Sequence, residues 1–402
     1  MTPKESVKDT LFLPSGFRFA GVACGIKPSG KKDLALIVAE DPCVAAGVYT
    51  QNQIVAAPVV LCRQRTPSAK IRGVITNSGN ANACTGEQGE KDAEEMCQRL
   101  AEQIECRPEE ILVMSTGIIG HTLPMDEIRE GITVATRSLS DSSDAFYDSA
   151  DGICTTDKFR KTASAECVIN GHTYRVAAMA KGAGMIAPNM ATMLAVVLTD
   201  APLTPESAQH ILSSAAQCSF NRVSVDGHTS TNDTMLLLSS GKGEPLTDSA
   251  IDELQQTINR VSVEVAKMLV ADGEGASHFM KIHVSGASSD DDAETIGRTI
   301  GASPLVKTAI TGGDPNWGRI VSAAGYAGVA IDPARVSLSI LDTPIYSNGS
   351  PVAFDEAALS QKMKQHEEVT IQITVGTLNG QATIWASDLT TEYVRFNSEY
   401  TT

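Results

Sequence analysis

A glycine-rich segment in the middle of the chain leads directly into a threonine and an apolar run. It reads Lys181-Gly-Ala-Gly-Met-Ile-Ala-Pro-Asn-Met-Ala-Thr-Met-Leu194. A turn before a buried strand accounts for this pattern without any chemistry, because threonine is β-branched and favours strands. A dinucleotide-binding loop is excluded, since the third glycine of that motif is missing and a strand follows where a helix is needed.

The chemical interpretation of this segment makes Thr192 a nucleophile. A hydroxyl group has a high pKa and needs a base beside it, and no histidine lies nearby in the sequence. One solution is the residue's own α-amine, which is freed when the chain is cut just before it. A strained loop that presents the preceding carbonyl to the hydroxyl would allow an N-to-O acyl shift, and hydrolysis of the ester would follow. The segment is therefore compatible with self-cleavage before Thr192.

The charge balance of the chain limits the class of partner. The 402 residues include 32 Lys and Arg and 48 Asp and Glu, which gives a formal net charge of −16. Nucleic acid and anionic membranes are disfavoured as main partners, because phosphate would meet no counter-charge. Only 4% of the residues are aromatic, so a base-stacking surface is not expected. We find no membrane span and no ordered signal-peptide pattern, and we expect a cytoplasmic protein.

The nine cysteines are interpreted as reduced, mostly buried thiols. Their number is odd and no Cys-x-x-Cys pair occurs, which disfavours both a disulfide framework and a zinc site. No His-x-x-x-His pair occurs either, so we expect no metal.

The apolar patterns predict alternating strands and helices. Strands are predicted at 34–38, 59–62, 71–75, 111–114 and 193–198, and helices at 90–105, from 205 onward and at 249–269. Two strand pairs are predicted, at 166–169 with 174–178 and at 369–375 with 382–385, each around an Asn-Gly turn. This mixture predicts an α+β fold with sheets packed under helices, not a purely parallel doubly wound sheet.

The segment that ends at Leu194 resembles the self-cleavage signature of the ornithine acetyltransferases, also called glutamate N-acetyltransferases, of arginine biosynthesis. Further motifs match this family in order along nearly the whole chain. They are 76–86 (TNSGNANACTG), 115–120 (STGIIG), 155–157 (TTD), 224–233 (SVDGHTSTND), 273–275 (GEG), 312–319 (GGDPNWGR) and the final ten residues. The chain is thus similar to the bifunctional, self-cleaving members of the family.

The resemblance implies a fold, a cleavage and a reaction. The fold would be stacked β-sheets covered by helices, with a second, smaller α/β domain. A cut between Ala191 and Thr192 would give an α chain of residues 1–191 and a β chain of residues 192–402. The two chains would intertwine, and two copies of each would form a heterotetramer. Thr192 would take the acetyl group from N2-acetylornithine and pass it to L-glutamate in a ping-pong reaction.

The resemblance also implies roles for residues outside the cleavage segment. Thr116 and Gly117 match the oxyanion site, which would stabilise the negative charge of the addition intermediate. Lys181 matches a substrate-binding position, where its ammonium suits the α-carboxylate of an amino acid. Glu274, between two glycines, matches an acidic ligand that could receive the side-chain ammonium of ornithine.

Other implied contacts are less specific. Thr155 matches a substrate contact, although the neighbouring hydroxyl of Thr156 is an equal donor. Asn397 and Thr402 match polar contacts at the end of the chain. His228 and His278 are interpreted as structural, or as acting through other residues. Segments 226–233 and 314–319 remain open between the reaction centre and loop scaffolding. No cofactor is implied, and the sequence does not decide whether acetyl-CoA serves as a second acetyl donor.

Two other functions are compatible with parts of the sequence. A self-processing aminopeptidase or amidase uses the same nucleophile logic with water as acceptor, but we would expect serine at the nucleophile position of those enzymes. A nucleotide-binding or structural protein is the weakest reading, because the Gly-x-x-x-x-Gly-Lys-Ser/Thr phosphate loop is absent.

Overall fold

The computed structural model describes residues 11–186 and 193–399. The strands of this part of the chain, β1 to β15 in order, are Phe17–Val22, Leu34–Tyr49, Ser68–Asn80, Ile111–Ile118, Lys161–Ile169, His172–Lys181, Leu194–Thr199, Val223–Ser224, Thr234–Ser239, Phe279–Ala287, Ser337–Ile340, Thr343–Ser347, Ser350–Pro351, Glu368–Thr374 and Gly380–Ser387. The α-helices, α1 to α11 in order, are Ala57–Arg65, Gly86–Gln103, Met125–Arg137, Ser143–Gly152, Pro205–Cys218, Asp248–Ala271, Asp290–Ala302, Pro304–Gly312, Trp317–Gly325, Glu356–Gln365 and Thr391–Glu399.

The first sheet is mixed and has the strand order β4-β3-β2-β9-β7-β6-β5, with β1 paired to β2. The pairs β3 with β4 and β7 with β9 are parallel, and the others are antiparallel. Every residue of β7 and β9 is buried, because helices cover both faces of the sheet. Strands β6 and β7, which precede and follow residues 187–192, pair with each other in this sheet.

Helices α1 to α4 pack on one face of this sheet, and α5 and α6 pack on the other. The predicted start of α5 is confirmed: the Thr204 hydroxyl accepts the backbone N–H of Ser207 at 3.1 Å, and Pro205 occupies the first helical position. The helix predicted at 249–269 is confirmed as α6, and its apolar residues Leu254, Ile258 and Val265 are fully buried.

The second sheet has the order β13-β12-β11-β14-β10-β15-β8 and packs against α7 to α10. Residues 369–375 and 382–385 form strands, but the prediction that they pair with each other is wrong. Strand β10 lies between them, parallel to β14 and antiparallel to β15. The connection crosses the end of β10 where Gly286 and Gly376 meet, so closely that a Cβ on Gly286 would lie 2.4 Å from the Gly376 carbonyl oxygen.

A second local prediction is also wrong, since residues 59–62 belong to helix α1 and not to a strand. A short apolar run does not distinguish a strand from a buried helix turn. The deciding features are Pro58 in the first turn and the basic residues Arg63 and Arg65 in the last turn, which suit the two ends of a helix. The Asn170-Gly171 hairpin is confirmed, with both residues at positive φ (52° and 80°).

The structure confirms the predicted α+β class, with two mixed sheets covered by helices. All nine cysteines are free thiols, and burial raises the pKa of Cys43 and Cys62 to about 12. Within the described residues, no helix is long and apolar enough to cross a membrane. The same part of the chain holds no cluster of three or more side chains suited to a metal ion.

Candidate active site

Those predicted site residues that the structure describes come from distant parts of the sequence and meet beside the end of β6. Lys181 is the last residue of β6, and Thr116 and Gly117 lie near the end of β4. Glu274 follows α6, and Asn397 lies on α11. The described chain resumes at Met193, one residue before β7, whereas Ala191, Thr192 and Thr402 lie outside the described residues.

Lys181 is a buried cation, and it contacts the predicted oxyanion turn. Its side chain is only 3% exposed, and Nζ donates a hydrogen bond to Thr116 Oγ1 at 3.1 Å. Burial lowers the pKa of Lys181, and the nearby carboxylate of Asp157 partly opposes this effect. Burying a lysine in this way is costly unless an anion joins it. The arrangement suits the capture of a substrate carboxylate.

The Thr116–Gly117 turn is the irregular end of strand β4, where the register with β3 shifts at Gly79 and Asn80, and Gly117 has a backbone that only glycine can adopt. Its φ is +136°, and a Cβ there would lie 2.3 Å from the carbonyl carbon of Gly79 on the neighbouring strand. The side-chain amide of Asn232 donates to the carbonyl oxygen of Ser115 at 2.8 Å and to that of Ala81 at 2.6 Å. These bonds hold the turn rigidly, as a preorganised oxyanion site requires.

Glu274 lies against the glycine segment. Its backbone N–H donates to the Ala183 carbonyl at 2.8 Å, and a Cβ on Gly184 would lie 2.3 Å from Glu274 Oε2. Oε1 accepts a hydrogen bond from Thr156 Oγ1 at 2.9 Å, and Oε2 accepts one from Asn397 Nδ2 at 3.3 Å. Burial raises the pKa of Glu274 despite these two donors. A cationic group would be a favourable partner for this carboxylate.

The two adjacent threonines have different positions. Thr156 bonds to Glu274, whereas the backbone N–H of Thr155 donates to Asp157 Oδ2 at 2.9 Å. The structure thus brings Thr156, the alternative to Thr155, onto the predicted acidic ligand. A direct contact of Thr155 with substrate stays a prediction.

A buried ion cluster supports the end of β6, and the sequence analysis missed it as a unit. Lys161 Nζ lies 2.6 Å from Asp157 Oδ1 and 2.6 Å from Asp272 Oδ2, and all three side chains are fully buried. Asp157 Oδ1 also accepts the backbone N–H of Gly182 at 2.8 Å. Burial alone would raise the pKa of Asp157, but Lys161 and Lys181 outweigh it and lower the pKa to about 2. The TTD motif pointed to Asp157, but no local pattern pointed to Lys161 or Asp272.

Asp226, the first residue of segment 226–233, has a structural role. Asp226 Oδ2 accepts the backbone N–H of Met185 at 2.7 Å and the hydroxyl of Tyr393 at 3.3 Å. The carbonyl of Ile186 accepts the backbone N–H of Val225 at 2.7 Å. These bonds fix the end of the glycine segment, where Met185 has a positive φ of 54°.

Within the described residues, neither candidate histidine forms a nucleophile relay. His278 Nδ1 lies 3.2 Å from Asp388 Oδ2 and 2.8 Å from Ser277 Oγ. A relay needs the two opposite ring nitrogens, whereas here one nitrogen faces both groups. His228 is exposed, and its backbone N–H donates to Asp226 Oδ1 at 3.1 Å. The structural interpretation of both histidines therefore fits these contacts.

Segment 314–319 forms the N-terminal cap and first turn of helix α9. Asn316 Oδ1 accepts the backbone N–H of Arg319 at 3.1 Å at the start of α9, and Asn316 Nδ2 donates to Asp314 Oδ2 at 3.0 Å. These contacts explain the Asp-Pro-Asn-Trp sequence by local structure.

In this fold, a glycine-rich segment, a buried lysine and a strand end that requires glycine meet at one end of a mixed sheet. The ArgJ family model matches residues 18–402, and the chain belongs to this family. The predicted family and the prediction of an enzyme are both confirmed.

Relatives of high identity match over almost their whole length. The arginine biosynthesis bifunctional protein ArgJ of Rhodopirellula baltica is 56% identical, and the match covers 100% of this chain and 99% of the relative. The protein of the same name from Symbiobacterium thermophilum is 46% identical, with 97% and 98% covered. The crystal structure of the Bacillus halodurans arginine biosynthesis bifunctional protein ArgJ is 34% identical, with a TM-score of 0.49; the match covers 50% of this chain and 96% of that chain.

Proposed function

We propose that this protein is a glutamate N-acetyltransferase that moves the acetyl group of N2-acetylornithine to L-glutamate in arginine biosynthesis. The observation that carries the proposal is the meeting of Lys181, the Thr116–Gly117 turn and Glu274 around the segment that leads to Thr192. These groups offer a cation, an oxyanion site and an anion, which are the three features that an acylated amino-acid substrate needs.

The first step is self-cleavage between Ala191 and Thr192. The Thr192 hydroxyl adds to the Ala191 carbonyl carbon, the carbon–nitrogen bond breaks, and the nitrogen takes the hydroxyl proton. Water then hydrolyses the resulting ester, which leaves a free α-amine on Thr192. Strands β6 and β7, on opposite sides of this bond, pair along their length, which supports the proposal that the two chains stay together.

The transfer itself is a ping-pong reaction in two halves. The Thr192 oxygen attacks the acetyl carbonyl carbon, its proton passes to the α-amine, and the negative charge develops on the acetyl oxygen beside the Thr116–Gly117 turn. The carbon–nitrogen bond to ornithine then breaks, and the amine returns the proton to the departing nitrogen. In the second half, the α-amine of glutamate attacks the acetyl carbon and the bond to the Thr192 oxygen breaks. The Thr192 α-amine carries the proton from the glutamate nitrogen to that oxygen, and N-acetylglutamate leaves.

The charges around the site support a distinct role for each ionic residue. Lys181 is buried and binds the substrate α-carboxylate, which supplies the anion that its burial requires. Glu274 receives the side-chain ammonium of ornithine, assisted by Thr156 and Asn397, which already hydrogen-bond its two oxygens. Thr155 and Thr402 complete the proposed substrate contacts.

The proposal extends to the second activity and the assembly. The relatives are named bifunctional, and we include glutamate acetylation from acetyl-CoA as the second reaction, with acetyl-CoA as co-substrate and no cofactor. The processed protein would be a cytoplasmic heterotetramer of two α and two β chains, with no nucleic acid or membrane as partner.

The test combines intact mass with an assay of ornithine release. The wild-type protein should give two chains, the second starting at Thr192, and should release ornithine in quantity only when glutamate is present. Thr192→Ala should remain one chain and transfer no acetyl group. Full activity of an uncut wild-type chain would contradict the proposal. Steady release of ornithine without glutamate would favour the amidase alternative, and adding acetyl-CoA tests the second donor.

A further inference from the structure

The loop between β1 and β2 contains Lys27, a lysine that is not among the predicted site residues. Asp33, at the end of this loop, is fully buried, and its carboxylate accepts three backbone N–H groups of the loop. They are those of Cys24 at 2.7 Å, Gly25 at 3.2 Å and Lys27 at 2.9 Å. Hydrogen bonds of this kind restrict the loop to one conformation, so the Lys27 side chain leaves it in a defined direction.

The Lys27 side chain reaches the wall of the candidate site. A Cβ on Gly79 would lie 3.1 Å from Lys27 Cγ, and Gly79 is the β3 partner of Gly117. Farther along the side chain, Lys27 Nζ donates to the carbonyl of Cys154 at 2.6 Å. The carbon stem therefore packs beside the proposed oxyanion site, and the ammonium binds the residue immediately before Thr155, a predicted substrate contact.

The Lys27 ammonium has no carboxylate partner within the described residues. Its two hydrogen bonds go to neutral carbonyls, those of Lys32 and Cys154, each at 2.6 Å. Burial lowers the pKa of Lys27, and the nearby charge of Lys181 lowers it further, although acidic groups around it oppose both effects. An ammonium carries three donors, so one remains for an anion. A partly buried cation close to a second cation is stabilised by an anionic ligand.

The two amino acids of the proposed reaction differ at the end of the side chain. Ornithine ends in an ammonium, which the carboxylate of Glu274 receives, whereas glutamate ends in a carboxylate, which the same group repels. Lys181 binds the α-carboxylate that both amino acids share. Glutamate therefore needs a second cation that acetylornithine does not need.

We propose that Lys27 selects glutamate as the acetyl acceptor: its ammonium binds the side-chain carboxylate of glutamate while Lys181 binds the α-carboxylate. The inference rests on the proposed function, because it concerns the acceptor half of that reaction. Two residues of the loop after α4 hold the opposite charges, since the Cys154 carbonyl binds Lys27 and the Thr156 hydroxyl binds Glu274. One site thus offers a cation to the side chain of glutamate and an anion to the side chain of ornithine.

The decisive variant is Lys27→Gln, whose side-chain amide keeps two donors for the Lys32 and Cys154 carbonyls but carries no charge. We expect the KM for glutamate to rise about tenfold or more, as for the loss of a charged hydrogen bond. The KM for acetylornithine should stay within about twofold, because Lys181 and Glu274 are unchanged. Lys27→Arg restores the positive charge and should recover part of the affinity for glutamate.

L-Glutamine as acceptor gives a second measurement, since it keeps the shape of glutamate without the side-chain charge. The wild type should have the larger kcat/KM with glutamate, and Lys27→Gln should lower the ratio of the two kcat/KM values about tenfold. A general disturbance of the fold would lower both values and leave their ratio unchanged. The ratio therefore separates recognition of the charge from a merely structural role of Lys27.

A matched control lies in the same loop. Lys31 is exposed, so Lys31→Gln makes the same chemical change at a solvent-facing position. Its KM values for both substrates and its preference for glutamate over glutamine should equal those of the wild type. Intact mass and thermal melting should be measured on every variant, so that the rates refer to folded, processed chains.

Two results with a folded Lys27→Gln enzyme would overturn the inference. One is a wild-type KM for glutamate, and the other is an equal rise in the KM of both substrates, which would place Lys27 on a group that they share. If Lys27→Gln does not fold, Lys27→Arg decides, and equal changes in both KM values would again overturn the inference. The proposed function fails separately, if the wild type transfers no acetyl group from acetylornithine to glutamate.

Discussion

The two sheets of this protein bury different kinds of residue. In the second sheet, β14 alternates between buried apolar and solvent-facing side chains, and Val369, Ile371 and Ile373 form its inner face. In the first sheet, β6 ends in an unbroken buried stretch whose last residue is the lysine at 181. Alternation reflects a sheet with one covered face, whereas a buried cation at the end of a strand has no packing advantage.

The residues that mainly stabilise the fold and the residues that provide chemical groups therefore lie in different regions. The second sheet and its helices form an apolar cluster that depends on shape and volume. The end of β6 instead depends on buried charges: Lys161 lies between the carboxylates of Asp157 and Asp272, and Lys181 donates a hydrogen bond to the Thr116 hydroxyl. Substitutions in the two regions should therefore affect different measurements.

The largest effect is expected from Lys161→Met, which leaves Asp157 and Asp272 buried without their cation. Removing one partner of such a group costs about 3–5 kcal/mol of unfolding free energy. Arg160→Met is the control, because Arg160 pairs with Asp151 at 2.7 Å on the surface and should contribute about 1 kcal/mol or less. Urea unfolding of both proteins measures the difference, and equal losses would show that the buried cluster has no special weight.

Gly117→Ala should reduce turnover strongly while the second sheet stays folded. The new Cβ would lie 2.3 Å from Gly79 and 2.5 Å from the Asn80 nitrogen, so the turn must move. Losing an oxyanion donor lowers kcat by about 10²–10³-fold. Gly120→Ala is the matched control, since Gly120 also has a positive φ, of 80°, but has open space around it. A Gly117→Ala enzyme as active as the Gly120→Ala enzyme would remove the turn from the site.

Lys181→Met should raise the KM for acetylornithine at least about tenfold, because a charged hydrogen bond to the substrate carboxylate contributes about 1.5–3 kcal/mol. The fold should tolerate the change, since methionine fills a similar volume and the buried ammonium is unfavourable without substrate. Steady-state kinetics and thermal melting on the same preparation separate the two effects. An unchanged KM would exclude Lys181 as the carboxylate ligand.

The smallest effect is expected from Ile371→Val in the second sheet. Ile371 is fully buried on β14, and removal of one methylene there costs about 0.5–1.5 kcal/mol of unfolding free energy. The values of kcat and KM should equal those of the wild type, because Ile371 lies in an apolar cluster that includes none of the described site residues. A marked loss of turnover from this substitution would mean that the two regions are coupled.

Much of the site was predictable because its residues lie in distinctive motifs. The glycine segment, the turn at Gly117 and the glycine-flanked Glu274 are each recognisable from neighbouring residues, and the structure brings them together. The cluster of Lys161 with Asp272 was not predictable, since the two residues are 111 positions apart and neither has an unusual neighbourhood. The placement of β10 between β14 and β15 was missed for the same reason, because an Asn-Gly turn predicts a reversal of the chain and not the partner of each strand.

The sequence by itself determined the local elements and the chemical groups at hand: a hairpin at Asn170-Gly171, a helix beginning at Thr204-Pro205 and a threonine after a glycine-rich segment. These depend on interactions between near neighbours, which act in any folded context. Only the tertiary structure decided which charges lose contact with water and which partners they gain. Desolvation and pairing depend on the distance between residues far apart in the chain, and the packing of both sheets fixes that distance.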